Sequence, residues 1–279
     1  MIQSATGLIL RTRPLTETSL IVHWLTPDFG RIATVAKGAR RIKSPFLGKL
    51  DLFYLADLSF SRSRRSDLHT LREISLRETH SALRQDIRRL RQAAYAAAFV
   101  EQVTETGTPL PAVYELMREF LVCLCRQKLA AQTVFAFELK MLREIGLQPK
   151  WEQTGLAAGT KKIAAALTQS DWLACLRLKP AAAQTAELRR FLHGFLIFHL
   201  GRLPRGRAAA LADEVFADQP SQLIKTRKPV KNIPAQPGEQ EATENQYMSK
   251  LDTKRHDRCA ESSPSKVRRF RREMILTIR

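Results

Sequence analysis

The sequence has little that would mark a secreted or membrane-bound protein. Its 279 residues include only four cysteines, and their scattered positions exclude a disulfide framework. No uninterrupted apolar run reaches the ~18 residues that a membrane span needs. The opening residues MIQSATGLIL also lack the basic start and the small-residue cleavage site of a secretory signal. We therefore expect a cytoplasmic protein with no membrane partner.

Signals for catalysis and for bound metal are also missing. Cys123 and Cys125 are two residues apart on a predicted helix and face different sides, so they would make a poor chelate. His193 and His199 are six residues apart, which does not place two imidazoles on one helix face. Neither a GxxxxGK[ST] phosphate loop nor a G-x-S-x-G nucleophile motif occurs. We expect no metal, no cofactor and no enzymatic activity.

Positive charge is the main feature of the composition. The chain carries 46 Lys and Arg against 27 Asp and Glu, a formal net charge of +19, and most of this excess precedes residue 213. Such a field favours a polyanionic partner or an anionic surface, and we place nucleic acid first. The hydrophobic content of 44% is enough to build real cores, so most of the chain should be globular.

The pattern of residues 1–78 predicts a small barrel. Five short strands are expected, at residues 7–13, 19–25, 31–37, 52–61 and 67–73. Turn signals such as Pro27-Asp28-Phe29-Gly30 divide the strands, and a long connection joins the third strand to the fourth. Five strands in so short a segment favour a closed Greek-key barrel.

Helical periodicity begins after Arg77, which makes the overall class α+β. We predict a helical domain over residues 79–212, with helices at 81–103, after Pro111, at 132–145 and at 185–200. Gly201 is a suitable residue to end the last of these. Residues 213–279 are rich in Pro, Gln, Glu, Lys and Ser, which predicts a disordered basic tail.

A cationic loop follows the third predicted strand, in the stretch VAKGARRIKSPFLGKLDLF. Gly38 permits a tight turn there and Pro45 stiffens the exit, so the loop could follow phosphates. The candidate DNA-binding residues are the loop cations Lys37, Arg40, Arg41 and Lys43 and the strand residues Arg11, Arg13 and Arg31. Trp24, Phe29 and Phe46 are aromatic candidates for base stacking, although core packing is at least as good an interpretation for each.

The stretch TETSLIVHWLTPDFGRIATVAKGARRIKS resembles the N-terminal barrel of the RecO family of bacterial recombination mediators. The ETSLIV strand, the LT…G turn and the VAKGARR.KS loop occur in the family's order and spacing, and the matching loop positions are Lys37, Gly38, Arg40, Arg41, Lys43 and Ser44. FELKMLREIGLQP and LHGFLIFHLGRLPRGR are similar to later segments of the family. The resemblance implies an oligonucleotide-binding barrel, the OB-fold, joined to a helical domain that has no enzymatic activity.

The resemblance also implies a function at the nucleoid. Proteins of this family bind single- and double-stranded DNA, anneal complementary strands, contact the acidic C-terminal tail of single-stranded DNA-binding protein, and act with RecR in loading RecA. The residues themselves leave two alternatives open, an RNA-binding or RNA-remodelling protein and a basic protein-interaction scaffold. Some relatives carry a four-cysteine zinc site, whereas GLQPKWEQTGLAAGTKK contains no cysteine.

We predict that the partner's acidic tail binds the helical domain. A peptide of this kind needs an apolar pocket with cations around its rim. The candidate rim residues are Arg118, Arg126, Lys128, Lys140 and Arg143. Solvated helix faces are the alternative explanation for any one of these cations. The C-terminal segment SKVRRFRREM is a competing site.

Overall fold

The computed structural model describes residues 1–127 and 130–212. Lys128, Cys259 and the predicted tail at residues 213–279 lie outside the described residues. Within them, a β-barrel is followed by a bundle of helices, as the α+β prediction required.

Five strands close the barrel in the order β1-β2-β3-β5-β4. The strands are β1 Ile2–Pro14, β2 Leu20–Thr26, β3 Gly30–Ala36, β4 Leu55–Ser61 and β5 Leu68–Glu78. All neighbours are antiparallel except β3 and β5, which pair in parallel. The predicted five-stranded barrel is confirmed, although β1 begins earlier and β5 ends later than expected. Both extensions are rich in polar side chains on the solvent face, which weakened the apolar signal.

Alternate side chains of the strands fill the barrel interior. Val22 and Trp24 of β2 lie there with Leu58 and Phe60 of β4. Trp24 is fully buried, and its Nε1 donates a hydrogen bond to Thr34 Oγ1 at 2.9 Å, so its one polar atom is satisfied. The period-2 pattern of β4 was visible in the sequence, whereas β2 is apolar on both faces.

A β-bulge in β1 allows one strand to serve two cores. Ile9 pairs with Trp24 and Arg11 pairs with His23, so Leu10 is the extra residue. Ile9 points into the barrel, whereas Leu8 and Leu10 belong to the core shared with the helices. Beyond the bulge, Arg11 and Arg13 lie opposite His23 and Ile21.

The helical part contains eight helices within the described residues. They are α1 Ala82–Gln85, α2 Ile87–Val103, α3 Pro111–Arg126, α4 Ala131–Glu144, α5 Ala158–Gln169, α6 Trp172–Arg177, α7 Ala182–Leu200 and α8 Arg207–Ala210, with a 3-10 turn at Trp151–Gln153. Every residue of α4 from Thr133 to Leu142 is buried, which makes it the central helix. The helix expected over residues 81–103 is interrupted at Asp86, where the backbone is extended. The Asp86 carboxylate accepts a hydrogen bond from Arg88 N and so caps the N-terminus of α2.

The barrel packs directly on the helices. Leu8, Leu25 and Phe53 belong to the same apolar cluster as the buried side chains of α2, α3 and α4. Gly30 allows a second close approach, because its φ is +62° and a Cβ there would lie 1.8 Å from the carbonyl oxygen of Thr108. The predicted boundary between residues 78 and 79 falls between β5 and α1, and the independence of the two domains stays a prediction.

A buried ion pair fastens α8 to the bundle. Glu138 of α4 is fully buried and accepts hydrogen bonds from Arg207 Nε at 2.7 Å and from its Nη2 at 3.0 Å. Tyr95 Oη of α2 donates to the same carboxylate. Burial raises the pKa of Tyr95 well above its ordinary value, so the phenol remains a donor at neutral pH. Helices α2, α4 and α8 are therefore linked through the Glu138 carboxylate, whose charge is paired and hydrogen-bonded.

We expect Arg207→Ala to cost about 3–5 kcal/mol of unfolding free energy, because it leaves the Glu138 carboxylate buried without its cation. Urea denaturation measures this loss. Arg77→Ala is the matched control, since Arg77 forms an exposed pair with Asp57 at 2.6 Å and should cost less than about 1 kcal/mol. Equal losses in the two variants would contradict the prediction. The double variant Glu138→Leu/Arg207→Met removes both charges and should recover part of the stability.

Candidate nucleic-acid interface

The connection between β3 and β4 presents four cations on an anchored loop. Lys37, Arg40, Arg41 and Lys43 are all exposed. Ala39 and Phe46, which bracket most of them, are buried in the barrel core. Gly38 has a φ of +68°, and consecutive turns follow in which Arg41 N donates to Gly38 O and Ser44 N to Arg41 O, each at 3.0 Å. The loop therefore has a defined conformation.

The loop is also tied to the neighbouring β1–β2 turn. Arg40 N donates to Thr18 O at 3.0 Å, and the Arg40 guanidinium approaches Thr16 O at 3.4 Å. Among the described residues, no carboxylate forms an ion pair with Lys37, Arg41 or Lys43. Their charge is therefore available to an anionic ligand.

The outer face of the barrel next to this loop carries three further arginines. The register places Arg13 opposite Ile21 and Arg11 opposite His23, and Arg31 lies opposite Leu25 on the next strand pair. Burial lowers the pKa of His23, and the positive charges of Arg11, Arg13 and Arg31 lower it further. The fold has thus brought together on one face the three strand arginines that the sequence analysis had selected.

Two of the three arginines already have intramolecular partners. Arg11 forms an ion pair with Glu101 of α2. Arg31 donates to Thr104 Oγ1 at 2.8 Å and to Thr104 O at 2.6 Å, at the end of α2. These two side chains hold the barrel to the helices, whereas Arg13 is exposed. The cations best placed to meet a ligand are therefore Arg13 and the four of the loop.

Arg205 was not among the predicted site residues, but it lies close to this face. Burial, followed by the charges of Arg13 and Arg205, lowers the pKa of Arg11, so Arg205 contributes to the same positive field. Arg205 is exposed in the segment between α7 and α8. The RLPRGR stretch places three arginines within the six residues that follow Gly201 at the end of α7, but the sequence alone does not indicate that one of them lies near the barrel.

The aromatic candidates pack inside the protein. Trp24 and Phe46 are buried, so the hypothesis that they stack on bases is wrong for both. Phe29 is partly buried and packs edge-on against Phe60, with ring centroids 5.6 Å apart. The core interpretation is the correct one for these rings. The large apolar side chains that the loop does expose are Ile42 and Leu47.

A cleft between α3 and α6 brings two of the predicted rim cations beside apolar side chains. It has a volume of about 330 Å³ and is lined by Arg118, Glu119, Val122, Cys123, Arg126, Gln127, Trp172 and Leu173. Leu173 is 53% exposed, so the apolar wall of the cleft is open to solvent. Arg126 is exposed, and Arg118 forms an ion pair with Glu115 on its own helix at 2.7 Å.

The other predicted rim cations have different surroundings. Lys140 is buried, and its Nζ donates to Thr168 O at 3.3 Å and to Ser170 O at 2.5 Å. Arg143 donates to Thr168 O at 3.0 Å and pairs with Glu144. Both side chains therefore stabilise the end of α5, and neither of them lines the cleft. Lys128 lies outside the described residues.

Metal and membrane features can be assessed for residues 1–127 and 130–212. In this part of the chain, no group of three or more His, Cys, Asp or Glu side chains could hold a metal ion. Burial raises the pKa of the Cys123 thiol to about 11, so it is protonated at neutral pH. No helix of the described residues combines the length and the apolarity that crossing a bilayer would require.

A closed five-stranded barrel with cations on one outer face, joined to a helical bundle, defines a protein of the OB-fold class. Comparison with known families is more specific. The family model for the recombination protein O N terminal matches residues 1–80, and the model for its C terminal matches residues 84–156. The chain belongs to the RecO family.

Several relatives are called DNA repair protein RecO. The relative from Alkaliphilus metalliredigens is 33% identical over 150 residues, which cover 53% of this chain and 60% of the relative. The relative from Rhodopirellula baltica is 32% identical over 143 residues, or 51% of this chain and 53% of the relative. A longer match, to the relative from Anaeromyxobacter dehalogenans, is 29% identical over 246 residues, or 75% of this chain and 95% of the relative. The first two matches thus span little more than half of each relative.

We expect the His23 imidazole to titrate below its ordinary pKa of 6.5, and Arg13→Gln should raise its pKa because one neighbouring positive charge is removed. NMR titration of the imidazole signals measures both values. Arg64→Gln, an exposed arginine of the β4–β5 connection, is the control and should leave the His23 pKa unchanged. A wild-type pKa at or above 6.5, or no response to Arg13→Gln, would disprove the clustering of charge on this face.

Proposed function

We propose that this protein is a DNA repair and recombination mediator that binds single- and double-stranded DNA and anneals complementary strands. The main supporting observation is the anchored loop, whose exposed cations Lys37, Arg41 and Lys43 have no carboxylate partner within the described residues. Membership of the RecO family, whose relatives are called DNA repair proteins, supports the same proposal.

The positive surface is long enough to follow a nucleic-acid backbone. Arg13 of β1 and Val35 of β3 both lie opposite Ile21 of β2, so Arg13 is about 10 Å from β3, two strand spacings away, and the exposed loop cations begin two residues after Val35. The loop continues from the end of β3, so the track passes several phosphates of one strand, which are ~3.4 Å apart along a duplex axis. Contacts to phosphate neutralise charge without reading bases, which suits a protein that must act on any sequence.

The cleft between α3 and α6 is the second part of the proposal. We propose that it binds the acidic C-terminal tail of single-stranded DNA-binding protein. Val122, Trp172 and Leu173 would receive the apolar end of the peptide, and Arg118 and Arg126 would face its carboxylates. In this proposal Lys140 and Arg143 stabilise the end of α5 and do not line the cleft. Binding of this tail would bring the DNA-binding loop to strands that the partner already covers.

The remaining parts of the proposal concern the cellular context. The protein would act with RecR to help RecA load on covered strands, and it would do so in the cytoplasm, at the nucleoid, without enzymatic activity. Annealing of complementary oligonucleotides, bare and covered with single-stranded DNA-binding protein, tests the mediator function. Competition with matched RNA strands tests the RNA-binding alternative, and the absence of salt-sensitive binding to either nucleic acid would favour the protein-interaction scaffold.

Replacing Arg40, Arg41 and Lys43 by Glu should weaken DNA binding for all sequences alike. Each phosphate that the variant no longer neutralises should reduce the slope of log affinity against log salt by about 0.9 on duplex DNA. Fluorescence anisotropy at several salt concentrations measures both effects. The control replaces Lys161, Lys162 and Lys179 of the helical bundle by Glu, which makes the same change in net charge. Similar behaviour of the two triple variants would place the DNA site elsewhere.

Replacing Arg118 and Arg126 by Ala should weaken binding of a labelled acidic tail peptide roughly three- to tenfold, because rim cations contribute mainly to electrostatic attraction and association rate. Deletion of residues 213–279 should leave this binding largely intact. Lys161→Ala/Lys162→Ala on α5 is the control for the removal of two positive charges. Anisotropy titration of the peptide gives the affinities. Loss of binding on tail deletion alone would assign the partner to the tail and remove the cleft from the proposal.

A further inference from the structure

The cationic loop also exposes an isoleucine at its tip. Ile42 is 90% exposed, and among the large apolar side chains of the described residues only Met1, at the chain start, is more exposed. Leu47, later in the same loop, is 63% exposed. Single exposed apolar side chains are common on protein surfaces and need no explanation by themselves. The position of Ile42 within this loop is what makes it unusual.

Ile42 is held in place by the loop on both sides. Ala39 before it and Phe46 after it are buried in the barrel core. Between these anchors, hydrogen bonds from Arg41 N to Gly38 O and from Ser44 N to Arg41 O fix successive turns. The isoleucine is therefore presented to solvent by a fixed backbone. A side chain whose only role was to fill the core would have been turned inward, as Phe46 is.

Cations flank Ile42 on both sides along the chain. Arg40 and Arg41 precede it, Lys43 follows it, and all three are exposed. A ligand that complements this arrangement has an apolar interior and an anionic exterior. The two parts must lie close enough together to contact neighbouring residues of the loop. Stacked bases between phosphates have this character, and nucleic-acid-binding proteins insert apolar side chains between base steps while cations hold the flanking backbone.

We propose that Ile42 is a wedge that enters between neighbouring bases and unstacks them while Arg40, Arg41 and Lys43 hold the adjacent phosphates. This inference rests on the proposed DNA-binding function and names the contact that the loop makes beyond the phosphates. An anionic membrane would also attract the loop, but stable membrane binding needs a larger apolar face than two side chains offer. Unstacking one base step requires only one apolar side chain.

The test uses the full chain and DNA that contains 2-aminopurine, a base whose fluorescence rises when it is unstacked. The wild-type protein should raise the fluorescence at saturation, and Ile42→Ser should lose at least about half of that rise. Affinity should change less than about threefold, because the phosphate contacts remain. Ile42→Leu should retain the rise. Ile87→Ser, a change at an isoleucine of α2 that is 58% exposed, is the control and should behave as wild type.

Two results would overturn the wedge and leave DNA binding intact: a wild-type complex without increased fluorescence, or an Ile42→Ser complex with the full increase. Failure of the wild-type protein to bind DNA at all would instead overturn the proposed function together with the wedge. Vesicles of phosphatidylglycerol are the remaining arm. If the wild type binds them, Ile42→Ser abolishes that binding and the 2-aminopurine signal is the same in both, Ile42 is a membrane contact and the wedge is wrong.

Discussion

The packing of Leu8, Leu10 and Leu25 against the helices determines which part of the barrel's outer surface remains exposed to solvent. These residues lie on the outside of the barrel, and the bundle covers them in a continuous apolar core. The same strands continue beyond the covered patch with Arg11, Arg13 and His23. One face is therefore apolar where the bundle lies and cationic where it ends. The position of the proposed nucleic-acid interface follows from where this packing stops.

Cations of similar appearance in the sequence have three different roles in the fold. Arg11 and Arg31 connect the barrel to α2, and Arg207 neutralises the buried Glu138. Arg13 and the loop cations are exposed to water, so their charges carry little desolvation cost and are accessible to phosphates. Holding several positive charges close together costs repulsion, which an anionic ligand relieves.

The barrel was predictable because turn signals separate its strands and because β3 and β4 alternate strictly, as Ala56, Leu58 and Phe60 of β4 do. The bulge at Leu10 was not, since one extra residue in a run of apolar side chains leaves no trace in the pattern. Asp86 interrupts an Ala-rich helical segment through a local capping hydrogen bond, which replaces the backbone hydrogen bonds of a continuous helix. Helices α5 and α6 are short, and the role of their apolar residues can be recognised only from their packing against α4.

The candidate sites show the same division. The loop cations were recognisable because four of them fall within seven residues, next to Gly38 and Pro45. Lys140 resembled a surface cation, although its ammonium donates hydrogen bonds to backbone oxygens at the end of α5. Sequence distance also concealed Arg205, which reaches the barrel face only through the fold.

The burial of Ala39 and Phe46 has a thermodynamic consequence for any ligand of the loop. A loop that is ordered only on binding gives up its conformational entropy at that moment, and the affinity is reduced accordingly. Here the barrel core has already ordered the backbone between residues 39 and 46 during folding. The free energy of each new contact with a ligand therefore contributes to affinity without a further loss for ordering the loop.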